Sequence, residues 1–425
     1  MDQRFSKIID LLERSNQHFF ITGRAGTGKS TLLQLFRNTT KKRVVVLAPT
    51  GIAALHIKGQ TIHSFFRLPP KLIDSHSLKR IRGASLYQKP DAIIIDEVSM
   101  VRVEVMDHID VFLRLNRGID EPFGGVQMIL IGDLFQLPPV ISTPFEREYL
   151  ASRYNSPYFF SADIFTEGCV PQLIELHEVH RQKDKSFIRL LDNIRTNSFD
   201  FDDLEVLNSR CKSEVKEQDL SIILSPRNMT VQQINSARLE EIDSELFQFN
   251  AETKGEINES FLPTDIFLRL KVGAQVMFIK NDPEKQFVNG TIGKVSHLEQ
   301  NRIKVQIDEG IEGMREVEVA KMDWEFIRYE LEAQKNGQIT EKVIGSFTQY
   351  PLKLAWAMTI HKSQGKTFSN VIIDLGSGAF EFGQLYVALS RCTSLEGISL
   401  MKPVKPADIK VDERIVEFLE SARRH

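Results

Sequence analysis

The chain has 425 residues, enough for two or three domains, and its hydrophobic fraction of 42% is typical of a globular protein. A formal net charge of −3 excludes a polycation, so any nucleic acid must bind in a local groove. The three cysteines, at 169, 211 and 392, lie far apart, which argues against a disulfide framework or a structural zinc site. No apolar run approaches the roughly 20 residues of a membrane-spanning helix, and the charged, amphipathic N-terminus lacks a signal-peptide core. We therefore expect no membrane partner, and a location in the bacterial cytoplasm near the nucleoid, or in the nucleus or mitochondrion of a eukaryote.

Residues 23–30, GRAGTGKS, fit the pattern G-x-x-x-x-G-K-[ST] of a phosphate-binding loop. An apolar run precedes this loop and a helical pattern follows it, which is the strand–loop–helix setting that the loop requires. Its glycines let backbone N–H groups curl around phosphate oxygens, although a glycine-rich turn can match the pattern by chance. Lys29 is expected to reach the β- and γ-phosphates of ATP, and Ser30 to hold Mg²⁺. The predicted ATP contacts in the loop are Gly23, Ala25, Gly26, Thr27, Gly28, Lys29, Ser30 and Thr31.

Four short apolar runs occur in the first 180 residues, at 19–22, 43–47, 92–95 and 128–131, and a polar loop follows each of them. Such runs, separated by helical segments, indicate a buried parallel sheet that binds ligands at the carboxyl ends of its strands. After the third run, Asp96 would order Mg²⁺ and Glu97 could polarise the attacking water. The structural alternative is an Asp-Glu pair that only starts a helix. After the fourth run, Gln136 could sense the γ-phosphate.

The motifs occur in an order that resembles superfamily-one helicases: GRAGTGKS, APTGIAAL at 48–55, GQTIHSFF at 59–66, IIIDEVSMV at 93–101 and IGDLFQLPPV at 131–140. With PFGGVQ at 122–127 they resemble the Pif (petite integration frequency) family, DNA helicases that move 5′ to 3′. Later segments are similar to the fourth, fifth and sixth motifs of that family: EVHRQ at 178–182, TIHKSQG at 359–365 and QLYVALSR at 384–391. The resemblance covers roughly residues 19–400.

This resemblance implies further site residues in both halves of the chain. Arg181 and Arg391 would stabilise the transferring phosphoryl group, although each could instead form a surface salt bridge. Gly365 would also contact ATP, and Gln3 is the nearest match to the adenine-contacting glutamine, with Gln17 as the alternative. His361 has the alternative role of a structural histidine. The predicted DNA contacts are Pro49, Thr50, Gly51, Thr61, His63, Phe65, Arg227, Thr359, His361, Lys362 and Ser363.

Residues 65–90 break the alternation of strands and helices and form a basic segment. Its cations, set against the single acid Asp74, are Arg67, Lys71, Lys79, Arg80, Arg82 and Lys89. With the aromatic pair Phe65 and Phe66, the segment suits single-stranded nucleic acid, because cations bind the backbone and rings stack on bases. A solvated surface loop is the alternative. The resemblance implies a small wedge insertion at this place.

The predicted fold is α/β, with two RecA-like P-loop motor domains that contain parallel sheets. Residues 1–176 form the first domain, and residues 177–250 with 351–425 form the second. Residues 251–350 contain short strands and Asn-Gly turns, which suggest a small antiparallel barrel. The resemblance makes this barrel Src-homology-three-like and inserted into the second motor domain. Parallel strands are expected to resume at 352–357 and 371–374, and an amphipathic helix ends the chain at 412–424.

The predicted function is an ATP-dependent DNA helicase that acts as a monomer on single-stranded DNA, forks or structured DNA. ATP would sit between the two motor domains, and their closing and reopening would move the strand. Two alternatives remain open: a nucleotide switch that does not move along nucleic acid, and a motor on RNA. Stimulation of ATP hydrolysis by single strands separates the motor from the switch. The choice of DNA and the polarity come from the resemblance, since backbone contacts do not report the 2′-hydroxyl.

Overall fold

A computed structural model of the chain describes residues 3–69, 78–81, 84–141, 143–211, 220–308, 313–332 and 338–424. The strands are β1 (Phe19–Gly23), β2 (Val44–Ala48), β3 (Gln60–Thr61), β4 (Ala92–Ile95), β5 (Gln127–Ile131), β6 (Gln172–Leu176), β7 (Ile222–Ser225), β8 (Phe247–Asn250), β9 (Glu252–Gly255), β10 (Phe267–Leu270), β11 (Gln275–Phe278), β12 (Ile292–Glu299), β13 (Arg302–Asp308), β14 (Met314–Val319), β15 (Met322–Glu332), β16 (Gln338–Gln349), β17 (Leu352–Leu354), β18 (Ala357–Thr359), β19 (Val371–Ile373) and β20 (Ile398–Leu400). The helices are α1 (Gln3–Arg14), α2 (Lys29–Thr39), α3 (Gly51–His56), α4 (Ile62–Phe65), α5 (Ser85–Gln88), α6 (Val103–Arg117), α7 (Pro144–Arg153), α8 (Asp163–Thr166), α9 (Lys185–Thr196), α10 (Phe201–Asn208), α11 (Asn228–Glu240), α12 (Ile360–Ser363), α13 (Gln384–Leu389) and α14 (Glu413–Ala422). Within these described ranges, no helix combines the length and the apolar character needed to cross a bilayer.

The chain divides into two compact units, and each is assembled from more than one segment. Unit 1 contains Met1–His180, Glu325–Ile344 and Asp412–His425, and unit 2 contains Arg181–Trp324 and Gly345–Val411. The predicted domain boundaries remain a prediction. The compact units group two segments differently, because parts of β15 and β16 and the terminal helix α14 belong to unit 1.

Unit 1 is built on a six-stranded sheet with the order β3-β2-β4-β5-β1-β6. All of its pairings are parallel, which confirms the predicted core, and β1, β2, β4 and β5 coincide with the four apolar runs of the sequence. Every residue of β1, β4 and β5 is buried, because helices cover a parallel sheet on its faces. Leu32, Leu33 and Phe36 of α2 pack into the core on one face. Each such side chain stabilises the fold by about 1.5–3 kcal/mol on burial.

Unit 2 contains a second parallel sheet, with the order β18-β7-β19-β20. The predicted strand at 371–374 is β19, but the prediction for 352–357 was partly wrong. Leu352–Leu354 forms β17, which pairs antiparallel with β11 in another sheet. The parallel strand starts only at Ala357, because Gln275 occupies both backbone groups of Ala355. The Ala355 N–H donates to the Gln275 carbonyl at 3.0 Å, and the Gln275 amide donates to the Ala355 carbonyl at 2.8 Å.

The segment between the two parts of this parallel sheet is antiparallel, as predicted. Five strands form a sheet with the order β14-β13-β12-β11-β17, over a core that includes Val276, Ile303 and Val305. Among the described pairings none joins β14 to β17, so the closed barrel of the prediction is not shown. The pattern of short strands did not predict the long neighbouring strands β15 and β16, which span 11 and 12 residues.

Candidate nucleotide site and nucleic-acid interface

The phosphate loop connects β1 to α2 in unit 1, as its pattern predicts. Gly26 and Gly28 have positive φ values of 81° and 85°, which side chains disfavour. Gly28 lies before the first turn of α2 and provides no side-chain cap, so the N–H groups of that turn are left for an anion. A Cβ atom at Gly23 would lie 2.5 Å from the Leu176 carbonyl oxygen and 2.8 Å from Thr27 Oγ1. The loop therefore requires glycine at this position to keep its shape.

The phosphate loop and the acidic pair meet at the carboxyl edge of the first sheet. Lys29 Nζ donates to the carbonyl oxygens of Gly23 and Arg24 at 2.7 and 3.0 Å. Burial raises the pKa of Asp96 to about 6, while a backbone hydrogen bond from Glu97 and the positive charge of Lys29 oppose that rise. Lys29 and Asp96, which are 67 positions apart in sequence, are thus brought within electrostatic range of each other.

Glu97 and Gln136 lie next to this pair. Glu97 has φ 51° and ψ 42°, the left-handed region that non-glycine residues seldom occupy. A Cβ atom at Gly132 would lie 3.0 Å from a methyl group of Val98, so the loop after β5 packs against the residue that follows Glu97. Gln136 in that loop is buried, and its amide donates to Asp133 Oδ2 at 3.3 Å.

Nucleotide and Mg²⁺ fit these residues. Asp96 is a buried carboxylate whose pKa is raised, and a cation beside it would favour its ionised form. Ser30 is exposed in the first turn of α2, as is Thr31. The exposed hydroxyl and the buried carboxylate are hard oxygen ligands of the kind that Mg²⁺ prefers.

A cavity of about 390 Å³ adjoins the phosphate loop, and sequence reasoning missed most of its lining. Phe5 and Ile8 of α1 contribute apolar surface, and Arg4 and Glu178 form an ion pair at 2.9 Å. The His180 N–H donates to the Gly26 carbonyl at 2.9 Å, which ties the segment after β6 to the loop. The amphipathic pattern of α1 was the available signal, since it leaves Phe5 and Ile8 on one face. The side chain of Gln3 lies outside the described residues, and Gln17 lies after α1.

The two predicted arginines converge on the carboxyl end of α13 in unit 2. Arg181 Nη1 donates to the Ser390 carbonyl at 3.0 Å, and burial lowers the pKa of its guanidinium. Arg391 is 1% exposed, and its guanidinium donates to the carbonyls of Val387, Ser363 and Lys366 and to Ser390 Oγ. In this arrangement Arg391 does not present its donors to solvent, because the ends of α12 and α13 accept them. Gly365 lies between Ser363 and Lys366 in the sequence, has φ 79° and is exposed.

Three predicted DNA contacts share one structural role. Thr50, Thr61 and Thr359 each follow or end a parallel strand and cap the helix that comes next. Their hydroxyl oxygens accept backbone N–H groups at 3.2, 3.2 and 3.3 Å. Pro49 and Thr50 are half-buried at the end of β2, and Gly51 is buried as the first residue of α3. The capping bond uses one lone pair of each hydroxyl oxygen, so the hydroxyl proton remains available to another group.

Two of the predicted DNA contacts have buried side chains in this structure, and both stay predictions. Phe65 is 2% exposed and packs edge-on against Phe66, Tyr87 and Tyr329, so its ring cannot stack on a base in this conformation. Ser363 is fully buried, and its hydroxyl donates to the Ile360 carbonyl at 2.7 Å. Of the basic residues in the insertion, Lys71 and Arg82 lie outside the described residues.

The remaining predicted DNA contacts have charged or polar neighbours. Burial and the charge of Arg102 lower the pKa of His63. His361 Nε2 lies 3.0 Å from Glu381 Oε2, and Arg227 Nη2 donates to Ser377 Oγ at 3.2 Å. Both of these partners belong to the loop between β19 and α13. Lys362 is exposed on α12.

Comparisons with known proteins agree with this arrangement. The family model of PIF1-like helicases matches residues 2–205, that of the Pif1 2B domain matches 252–298, and that of the UvrD-like helicase C-terminal domain matches 354–395. The chain is 34% identical over 421 residues to the ATP-dependent DNA helicase Pif1 of Bdellovibrio bacteriovorus, covering 96% of this chain and 89% of that protein. Against human PIF1 it is 33% identical over 96% of its own length but spans only 62% of the human protein.

The solved structures of Bacteroides Pif1 are similar over nearly the whole chain. Its complex with ADP-AlF4 has a TM-score of 0.90 at 37% identity, covering 99% of this chain and 97% of the other. Its complex with single-stranded DNA has a TM-score of 0.70 at 37% identity, covering 99% and 96%.

A phosphate loop and an acidic pair at the carboxyl edge of a buried parallel sheet define a P-loop nucleotide hydrolase. Sequence identity above 30% along almost the full length of a Pif1 protein defines the class more narrowly. The chain belongs to the PIF1-like helicase family.

Proposed function

We propose that this Pif1-family chain is an ATP-dependent DNA helicase that moves 5′ to 3′ along single-stranded DNA and separates duplex or structured DNA. The observation that supports this proposal most directly is the meeting of Lys29, Asp96 and the Gln136 loop at one sheet edge. Of the neighbouring strands in the same sheet, β2 is followed by Thr50 and β3 ends at Thr61, so that a nucleotide and a nucleic-acid strand can occupy adjacent parts of that edge.

In this proposal the phosphate loop binds the triphosphate of ATP, and Lys29 exchanges its loop carbonyls for phosphate oxygens. Ser30 and Asp96 would hold Mg²⁺, which when bound supplies positive charge to the phosphate oxygens. Glu97 orients and deprotonates the attacking water, and Gln136 contacts the γ-phosphate. The adenine base lies in the cavity beside Phe5, with Gln3 at the start of α1 as its polar contact.

In the proposed mechanism, Arg181 and Arg391 contact the phosphates as the two motor domains close. Arg391 then exchanges its carbonyl partners at α12 and α13 for phosphate oxygens. Since two of those carbonyls belong to Ser363 and Lys366, in the same segment as His361 and Lys362, this exchange would link hydrolysis to the segment that holds the strand.

An unwinding assay with labelled partial duplexes tests the function. We expect the protein with Mg²⁺ and ATP to separate a duplex that has a 5′ single-stranded tail, and to leave a duplex with a 3′ tail paired. ATP hydrolysis should rise when single-stranded DNA is added. A rate of ATP hydrolysis that does not change when single strands are added would instead support a nucleotide switch. Unwinding only from RNA tails would support an RNA motor. Action as a monomer and the cellular location are further parts of the proposal. Sedimentation of the protein on a forked DNA substrate tests whether it acts as a monomer.

A further inference from the structure

The PFGGVQ motif ends in a side chain that holds helix α1. Gln127 is the first residue of β5 and is 1% exposed. Its amide nitrogen donates to the carbonyl oxygens of Ser15 and Gln17 at 2.9 and 3.0 Å. Both acceptors lie in the short connection between α1 and β1. The motif therefore contributes a buried tie to α1 rather than a group that reacts with nucleotide.

Lys42, in the loop between α2 and β2, adds a cation at the same end of α1. Its ammonium group donates to the carbonyl oxygens of Leu12 and Ser15 at 2.8 and 2.6 Å, and to Oε1 of Gln127 at 2.7 Å. An ammonium group has three N–H donors, so these three bonds use all of them. The last carbonyl groups of a helix carry partial negative charge and lack partners within the helix, which makes a lysine favourable there.

The same loop also ties α1 to α2, the helix that follows the phosphate loop. Thr40 Oγ1 and the Lys41 N–H donate to the two carboxylate oxygens of Glu13 at 2.5 and 3.1 Å. At the other end of the two helices, a Cβ atom at Gly28 would lie 3.0 Å from the ring of Phe5. The C-termini of α1 and α2 are thus joined by hydrogen bonds, and their N-termini meet at the phosphate loop.

The body of α1 has contacts of a different kind. Ile8, Ile9 and Leu12 pack against the core of unit 1. Apolar contacts are non-directional, so they hold a helix against its neighbours without fixing its position along its own axis. Hydrogen bonds depend on distance and angle, so the bonds at the C-terminus of α1 determine where the Phe5 ring lies relative to the phosphate loop.

We propose that Gln127 and Lys42 are positioning residues for the base of the nucleotide. They hold α1 where Phe5 lies beside the adenine base, and so raise the affinity for ATP without contacting it. The phosphates bind to the loop before α2, which keeps its own contacts when these two side chains are replaced. This inference rests on the proposed function, since it assumes that the adenine base occupies the cavity beside Phe5.

The test compares a ligand that has a base with one that has only phosphates. Steady-state hydrolysis with Mg²⁺ and saturating oligothymidine gives kcat and KM for ATP, and the inhibition constants of ADP and inorganic tripolyphosphate. We expect Lys42→Met to raise the KM for ATP and the inhibition constant of ADP about tenfold, or about 1.4 kcal/mol, with kcat within about twofold. The inhibition constant of tripolyphosphate should keep its wild-type value.

Gln127→Leu should show the same pattern, because it removes the amide that holds the end of α1. The double variant should lose less binding free energy than the sum of the two single variants, because Lys42 and Gln127 share a hydrogen bond. Lys41→Met is the matched control, since Lys41 is the neighbouring residue and is exposed. It should keep the wild-type KM. Phe5→Ala removes the ring itself and should raise the KM for ATP at least as much as Lys42→Met.

The alternative is a purely structural role, in which the two side chains stabilise unit 1 and do not affect the base. Thermal unfolding followed by circular dichroism would then show a lower midpoint, while the ratio of the ADP and tripolyphosphate inhibition constants would match the wild type. Lys42→Met changes a half-buried side chain and remains measurable even where the fully buried change Gln127→Leu prevents folding.

The outcomes separate this inference from the proposed function. If Lys42→Met leaves the ratio of inhibition constants unchanged while Phe5→Ala raises it, the positioning role is overturned and the nucleotide site stands. If Phe5→Ala also leaves the ratio unchanged, the base does not lie beside Phe5, and the inference fails with that placement. A wild-type protein that hydrolyses no ATP with oligothymidine present would refute the proposed function itself.

Discussion

The two units contain the same short structure at one place each. In unit 1, Thr61 ends β3 and caps the four-residue helix α4; in unit 2, Thr359 ends β18 and caps the four-residue helix α12. Their backbone angles nearly coincide, with φ −73° and ψ 147° in the first and φ −75° and ψ 149° in the second. A buried isoleucine and then a histidine follow in both. We refer to residues 61–63 and 359–361 as the two Thr-Ile-His turns.

The turns differ in the charge that faces the histidine. His63 is half-buried near Arg102, and burial and that positive charge lower its pKa. His361 Nε2 instead lies 3.0 Å from a carboxylate oxygen of Glu381. The two histidines thus lie near charged groups of opposite sign, because Arg102 and Glu381 come from separate parts of the chain. The local pattern therefore determines the turn, whereas distant residues determine what its histidine can bind.

The largest effect is expected at Lys29, where a substitution should abolish ATP hydrolysis and leave DNA binding by the two turns almost unchanged. Lys29→Ala should abolish ATP turnover, because the variant loses the cation that neutralises the phosphates. Affinity for single-stranded DNA should change little, since both Thr-Ile-His turns remain intact. Steady-state ATPase and anisotropy measurements check the two halves of this prediction. Unchanged turnover would contradict the assignment of the nucleotide site.

The second prediction removes the charge that distinguishes the turn of unit 2. Glu381→Gln should tighten binding of oligothymidine about threefold to tenfold, or about 0.7–1.4 kcal/mol, because His361 no longer faces a competing anion. In a His361→Gln background the same substitution should have a smaller effect, which a double-mutant cycle measures. Equal effects in both backgrounds would show that Glu381 does not act through His361.

The third prediction tests the feature that the turns share. Thr61→Ala and Thr359→Ala should each cost about 1 kcal/mol of local stability, because a helix cap is lost. Hydrogen exchange should then accelerate at the amides of Ser64 and Lys362, the N–H groups that the caps accept. The serine variants keep the hydroxyl and should exchange like the wild type. Loss of protection in the serine variants as well would mean that the methyl group, and not the cap, is responsible.

The smallest effect concerns the titration of His63. Its pKa in the folded protein is lowered from the ordinary value of 6.5, chiefly by burial and then by Arg102. The unfolded chain therefore takes up the proton first, and the contribution of His63 to stability is present above pH 6.5 and lost as the pH falls through the folded pKa.

Histidine-selective NMR checks this behaviour, with His63→Asn identifying the resonance. The midpoint should lie below 6.5 and should rise, without reaching that value, when Arg102 is replaced by Gln, because burial remains. The His361 resonance should not respond to the Arg102 substitution. If the titration midpoint of His63 does not change on substitution of Arg102, the proposed difference between the turns is contradicted.

Much of the nucleotide site could be predicted from the sequence, because each motif follows an apolar run that forms a parallel strand. The loop at Gly28, the acid at Asp96 and the loop at Gln136 all depend on local order and on a rule about strand ends. The structure accordingly places all three at one edge of the first sheet.

The burial of individual side chains and the pairing of strands could not be predicted in the same way. Phe65 is covered by Tyr329, which lies more than 260 positions later, and no local pattern signals that contact. Arg391 is enclosed because the carbonyls of α12 and α13 accept its donors, and their positions depend on the packing of two helices. Leu352–Leu354 has the composition of a parallel strand, but Gln275 directs it to the other sheet.

The left-handed backbone at Glu97 has a consequence for engineering this protein. Holding a glutamate there costs about 1–3 kcal/mol, which glycine would recover and asparagine would recover in part. Selection for heat resistance alone would favour those two replacements and would discard the carboxylate. Mutant libraries aimed at thermostability should therefore keep Glu97 fixed, because the substitutions that most stabilise this position are expected to abolish ATP hydrolysis.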